Sequence, residues 1–222
     1  MADDTATNAQ LDARVLEFNL APAPEIDPSW LEADAYRGLL ETLSDVPAAS
    51  RWLSRYWIDG AELAGKYWMS FDGERRRLGL LGRDDLQFAL LQMGASLCRE
   101  QIQQIVDGAQ RTGLRRSAGP EVIEFATQSA PLFGVPGDRE LPDGFSEARF
   151  GLIAVGAREL LDAAAMADPA YGVRVGWKLP HEVASVLRPE WIERAGEPQR
   201  PLPGYERRLL REIVTQWSAL FD

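Results

Sequence analysis

The chain has 222 residues, 45% apolar and 26% charged, with a formal net charge of −10. That length suits one large domain or two small ones, and the composition is ordinary for a globular protein. A single cysteine excludes an internal disulfide framework and fits a reducing, cytosolic setting, while the acidic opening MADDTATNAQ and the absence of any run of about 18 apolar residues exclude a secretory signal and a membrane span.

The charge is unevenly placed. Residues 1–50 hold ten Asp/Glu against two Arg, and the remaining residues carry 24 acids against 22 bases. Without clustered Lys/Arg, phosphate-backbone binding is not expected, and the Arg75-Arg76-Arg77 run is too short and isolated to supply it. The acidic fifth either steers a basic protein partner or keeps a mobile arm in solution.

In chain order, residues 1–13 read as a disordered acidic tail, and 14–222 as a single helical domain. The stretch 16–30, LEFNLAPAPEIDPSW, reads as extended because prolines fix φ and disfavour helix in the residues before them. Asp27-Pro28-Ser29 is a helix entry, with Asp27 as N-cap and Pro28 at the first helical position. The helix is expected to run to about Leu43 with Leu31, Leu39, Leu40 and Leu43 inward. Pro47 opens a second helix, where Trp52, Leu53, Tyr56 and Trp57 cluster shortly before Trp68. Such rings are either core or a partner-binding groove.

Residues 84–110 are the densest apolar segment. Leu86, Leu90, Met93 and Leu97 share one helical face, and the stripe restarts one position out of phase at Cys98, continuing through Ile102, Ile105, Val106 and Ala109. The slip beside Gly94 predicts a bend or a break. Pro120 starts a short helix to Ser129, and 131–145 is a Pro/Gly-rich surface loop. Ser146 is expected to cap a strong helix over 145–166, ended by Asp168-Pro169. The alternation of Val173, Val175, Trp177 and Leu179 against Arg174, Gly176 and Lys178 predicts one short extended or β segment over 171–180. At the C-terminus, Leu210, Ile213, Trp217 and Leu220, with Leu209, Val214 and Phe221, form a helical seam that docks either on its own domain or on a partner helix. The expected fold class is mainly α.

No catalytic or metal constellation is present. His181 begins an H-E-x-x-H pattern whose second ligand position is Ser185, so it reads as a helix-start or surface residue. Cys98 lies on an apolar helix face, where a thiol behaves as a small hydrophobe. Asp84-Asp85 diverge by about 100° on a helix and read as first-turn acids. Neither an enzyme activity nor a cofactor is expected.

Three stretches, in order, resemble the SctK/YscK family of type III secretion sorting-platform accessory proteins. In 18–31 the matching residues are Phe18, Asn19, Pro22, Ala23, Pro28, Ser29 and Trp30, with Asp27, Glu25 and, further on, Trp177 departing from the family pattern. The leucine-rich 78–97 matches through Gly94, and RVGWKLP at 174–180 is similar to a basic segment ending in L-[KR]-L-P. The resemblance implies a non-enzymatic cytosolic adaptor of an injectisome, peripheral to the cytosolic face of the inner membrane. It would bridge the cytosolic domain of an SctD-type inner-membrane ring protein and an SctQ-type pod protein, with an SctL-type stalk protein as a further partner, and would bind no nucleic acid and not insert into the membrane. The candidate partner-binding residues are Phe18, Trp30, Glu32, Asp34, Tyr36, Trp52, Tyr56 and Trp57. A helical-client chaperone acting through the C-terminal helix is the alternative.

Overall fold

The computed structural model describes residues 2–105, 108–198 and 201–214. Among them there is no strand, and the protein is mainly α. The helices are α1 (Ala2–Leu20), α2 (Pro28–Ala33), α3 (Arg37–Ser44), α4 (Ser50–Gly60), α5 (Glu74–Arg77), α6 (Arg83–Leu97), α7 (Arg99–Gln104), α8 (Gly108–Ala118), α9 (Pro120–Glu124), α10 (Ala148–Leu160), α11 (Ala163–Ala167), α12 (Pro169–Trp177), α13 (His181–Glu193) and α14 (Gly204–Ile213).

Several boundaries differ from expectation for identifiable reasons. Residues 2–13, expected to be disordered, belong to α1. Leu16–Leu20, expected to be extended, close the same helix, and the prolines act only beyond it, where Ala23–Glu25 form a 3₁₀ turn. Asp27 caps α2 as expected, its carboxylate accepting from Ser29 N at 3.0 Å. The helix expected to reach Leu43 instead divides into α2 and α3, because the Asp34 carboxylate accepts from Tyr36 N at 2.7 Å and turns the chain. Glu147, not Ser146, holds the N-cap position of α10, and Asp162 starts α11 afresh by accepting from Ala164 N. The period-two segment is not a strand. Asp168 accepts from Ala170 N, Pro169 takes the first helical position, and 169–177 wind into α12. Val106 and the seam residues Trp217, Leu220 and Phe221 lie outside the described residues.

The chain forms two compact units, one from residues 2–83 and 162–198, the other from 84–161 and 201–214. In the second unit α6 is buried almost all round: Leu86, Leu90, Met93 and Leu97 are inside, and Phe88 is its exposed large apolar residue. α6 and α10 cross with backbone against backbone. A Cβ at Gly94 would stand 1.8 Å from Leu152 O, and one at Gly156 would stand 2.0 Å from Leu90 O. Gly94 is therefore a crossing point and not the helix break, which falls at Cys98. There the 131–145 loop docks: Arg139 N donates to Leu97 O and Glu100 N to Gly137 O, each at 2.9 Å. Cys98 is fully buried, and burial pushes its thiol up to about 11, so it stays a neutral hydrophobe at neutral pH. α14 turns Leu209 and Leu210 into this unit, where both are fully buried.

The crossing makes a sharp contrast testable. Gly156→Ala drives a methyl into a carbonyl oxygen and should cost about 3 kcal/mol or more. Gly113→Ala, on α8 with nothing within 4 Å of its Cβ position, should stabilise by about 0.5–1 kcal/mol. Urea unfolding followed by the helical circular-dichroism signal checks both, and equal midpoints for Gly156→Ala and wild type would contradict the close crossing.

Candidate partner-binding surface

The first unit brings together the segments at 18–31 and 174–180 that carry the family resemblance. Phe18 of α1 packs edge-on against Phe71 at 5.4 Å and beside Tyr171 at 5.7 Å, and it is only 5% exposed. Asn19, also buried, donates to Val15 O and Trp68 O and accepts from Trp68 N at 2.8 Å, which pins the chain after α4 to α1. Arg174 is buried to 1% and donates to Ala170 O at 2.6 Å, Lys66 O at 2.9 Å and Asn19 O at 3.3 Å. Lys178 reaches Gly79 O at 3.0 Å and Leu81 O at 2.6 Å, its ammonium 5.7 Å from the Phe18 ring centre. Burial lowers both cations from their ordinary values, Lys178 to about 8, with Glu25 working in the opposite direction. Tyr171, fully buried, donates to Arg76 O at 2.9 Å and is pushed well up by burial and the Asp162 charge. Arg76 in turn pairs with Asp162 at 2.8 Å and lies over Trp68.

A second set of bonds ties the start of α2 to the turn between α12 and α13. Asp27 N donates to Trp177 O at 2.7 Å, Trp30 Nε1 to Leu179 O at 2.9 Å, and His181 N to Ser29 Oγ at 2.8 Å. The Trp30 and His181 rings meet edge to face at 4.6 Å. The departing residues Asp27 and Glu25 both serve the fold, since Asp27 caps α2 and the Glu25 carboxylate accepts from Arg83 N.

The candidate partner residues divide by depth. Phe18 is core; Trp30 and Trp57 are half-buried against the Ile26–Leu63–Trp177 cluster. Toward solvent, Trp57 meets Trp177 at 6.0 Å, Tyr56 meets Trp57 at 5.8 Å, and Trp52 stacks on Tyr56 at 5.7 Å with the planes 17° apart. This ladder of rings leads from the buried Trp177 to Trp52, which is 50% exposed. The Tyr56 hydroxyl donates to Asp34 at 3.0 Å, and partial burial together with that carboxylate raises the phenol from its ordinary value. Glu32, Tyr36 and Leu39 are exposed nearby in the chain, on or between α2 and α3. Sequence reasoning missed Arg174 and Lys178 as buried cations, and of α13 it read only His181, as a helix-start or surface residue, which does begin the helix; hydropathy gives charged residues no signal for burial, and the rest of α13 has no motif. Among the described residues no group of His, Cys, Asp and Glu could hold a metal ion, and no helix is long and apolar enough to cross a membrane.

Comparison with known proteins gives one family. The family model of YOP proteins translocation protein K (YscK) matches residues 14–222. No curated protein and no solved structure matches the chain.

The buried Lys178 sets a pH signature. With a folded value of about 8 against an ordinary 10.5, the unfolded chain holds the proton between those pH values and the folded chain does not. Stability from this group therefore rises with pH across that window, by about 3 kcal/mol in total. The difference in unfolding free energy between wild type and Lys178→Met should change by that order from about pH 7.5 to pH 10.5. A difference independent of pH would show that Lys178 is solvated.

Proposed function

This chain belongs to the YscK family of type III secretion proteins, and from that premise we propose that it is a non-enzymatic cytosolic adaptor of the sorting platform. In this reading it bridges the cytosolic domain of the SctD-type inner-membrane ring protein and the SctQ-type pod protein, contacts the SctL-type stalk protein, and works at the cytosolic face of the inner membrane. The observation that carries the reading is the ring ladder of the first unit. Trp52 and Tyr56 stand outward on a column whose foot, Trp177, is 3% exposed, so an aromatic surface is held rigidly at little conformational cost. Glu32, Asp34 and Tyr36 add acids and a further ring to the adjoining segment, on the acidic fifth of the sequence. The C-terminal seam supports a client-binding role less well, because Leu209 and Leu210 are buried inside their own unit.

Tyr36→Ala removes an exposed ring and should change stability by less than about 0.5 kcal/mol, whereas Trp52→Ala also gives up the stack on Tyr56 and should cost about 1–2 kcal/mol with the fold retained. If the rings are anchors, each weakens the complex with the SctQ-type protein or the SctD-type cytosolic domain by about tenfold or more. Co-purification and calorimetric titration of the full chain measure this. Wild-type affinity in both variants toward both partners would remove the ladder from the interface, and absence of any complex by the wild-type chain would remove the adaptor assignment.

A further inference from the structure

A groove of about 470 Å³ opens within the first unit, walled by Trp30 and Trp191. α12 faces it with Gly172, Val173 and Gly176, and α13 with Ser185, Arg188 and Ile192. Both sets follow helical spacing along one side of their helices, so two helix faces converge on one trough without filling it. Nothing in the local packing claims the space at Gly176: a Cβ there would meet only the Ala184 Cβ, at 3.9 Å. Ile192 stands 57% exposed at the rim, an apolar side chain left in water.

The charge of the trough is distinctive. Among the described residues no carboxylate lines it, and its ionisable side chains are His181 and Arg188. Arg188 is exposed and forms no ion pair with a described residue. On a chain of net charge −10, an apolar trough edged by an unpaired guanidinium selects an occupant that is apolar on one side and acidic at one point. The paired helical faces select its shape, since the gap beside two packed helices is the one a third helix fills.

We infer that this groove seats an amphipathic helix of a partner protein, with its apolar face between Trp30 and Trp191 and a carboxylate paired with Arg188. The inference rests on the adaptor reading and adds to it a second surface, separate from the outer rungs of the ladder. The half-buried indole of Trp30 and the exposed guanidinium of Arg188 are of the residue types that dominate binding energy at protein interfaces, while Trp191, 2% exposed, backs the trough from the core.

Two variants of the full chain test it, both at exposed positions of α13. Ser185→Trp places an indole in the trough, and Arg188→Glu reverses its charge. Binding is measured for the purified SctQ-type protein, the SctD-type cytosolic domain and the SctL-type protein, with circular dichroism and melting temperature as fold controls. The expected result is unchanged folding and at least about a tenfold loss of affinity for one same partner in both variants, the Arg188→Glu loss shrinking in high salt. Wild-type affinity for all three partners in either variant overturns the inference while leaving the adaptor reading in place. So does a wild-type dimer that Ser185→Trp makes monomeric without affecting partner binding, because the occupant is then a second copy. If the wild-type chain binds none of the three, both readings fall together.

Discussion

Backbone approach closer than a side chain permits is the constraint on which this structure depends. In the second unit α6 and α10 meet at Gly94 and Gly156, each opposite a carbonyl of the other helix. In the first unit Gly172 of α12 sits where a Cβ would be 1.8 Å from Met166 O of α11, and Gly79 lies beneath the Tyr171 hydroxyl, 2.6 Å from its own Cβ position. Short helices such as α11 bury little area of their own, so their stability comes from what they touch. Glycine at the crossing lets main chain pack on main chain and brings the flanking leucines and valines into contact at interior density. The same contacts leave no slack at the helix crossings, because the atom opposite is a carbonyl and not the end of a flexible side chain.

Close packing of this kind strands polar groups, and the first unit answers with buried cations. Gly79 and Leu81 present carbonyls at the 3₁₀ turn after α5, and the Lys178 ammonium donates to both. Arg174 does the same for the end of α1 and for Lys66 after α4. Each cation costs desolvation, seen in its lowered pKa, and each satisfies several carbonyls that would otherwise be left unmet. This explains why the stretches that carry the family resemblance have no chemistry of their own. Phe18, Asn19, Arg174 and Lys178 are fasteners that join α1, the 78–81 turn and α12 into one body.

That arrangement also sets what the sequence can reveal. Apolar spacing is enough for the 84–97 helix, and Asp27-Pro28 is enough for the start of α2, since both signals are local. The alternation in 171–180 is real but misleading. Val175 and Trp177 are buried, yet so are Arg174 and Lys178, so a period-two pattern of hydropathy conceals a helix that buries a charged residue on one side and leaves Gly172 and Val173 half-buried on another. Asp168-Pro169, which the sequence reading assigns to the end of the preceding helix, is the local signal that starts α12. The aromatic density of 52–68 is legible as a cluster, but its division into half-buried Trp57 and exposed Trp52 depends on Trp177, more than a hundred residues away. The trough along α13 is not legible at all, because its floor is made by side chains that are small or absent.

Trp177 is central to the adaptor reading for a geometric reason. Its indole is the foot of the ladder that ends at Trp52, and the same residue lines the trough between α12 and α13. One side chain, 3% exposed, is thus shared by two surfaces of a single unit. A bridging protein needs its contact faces held at a fixed separation, or the binding of each partner must first bear the ordering of the other face. In the proposed adaptor reading that separation falls to Trp177, which is clamped by the bond from Asp27 N to its carbonyl and by Trp57 against its ring.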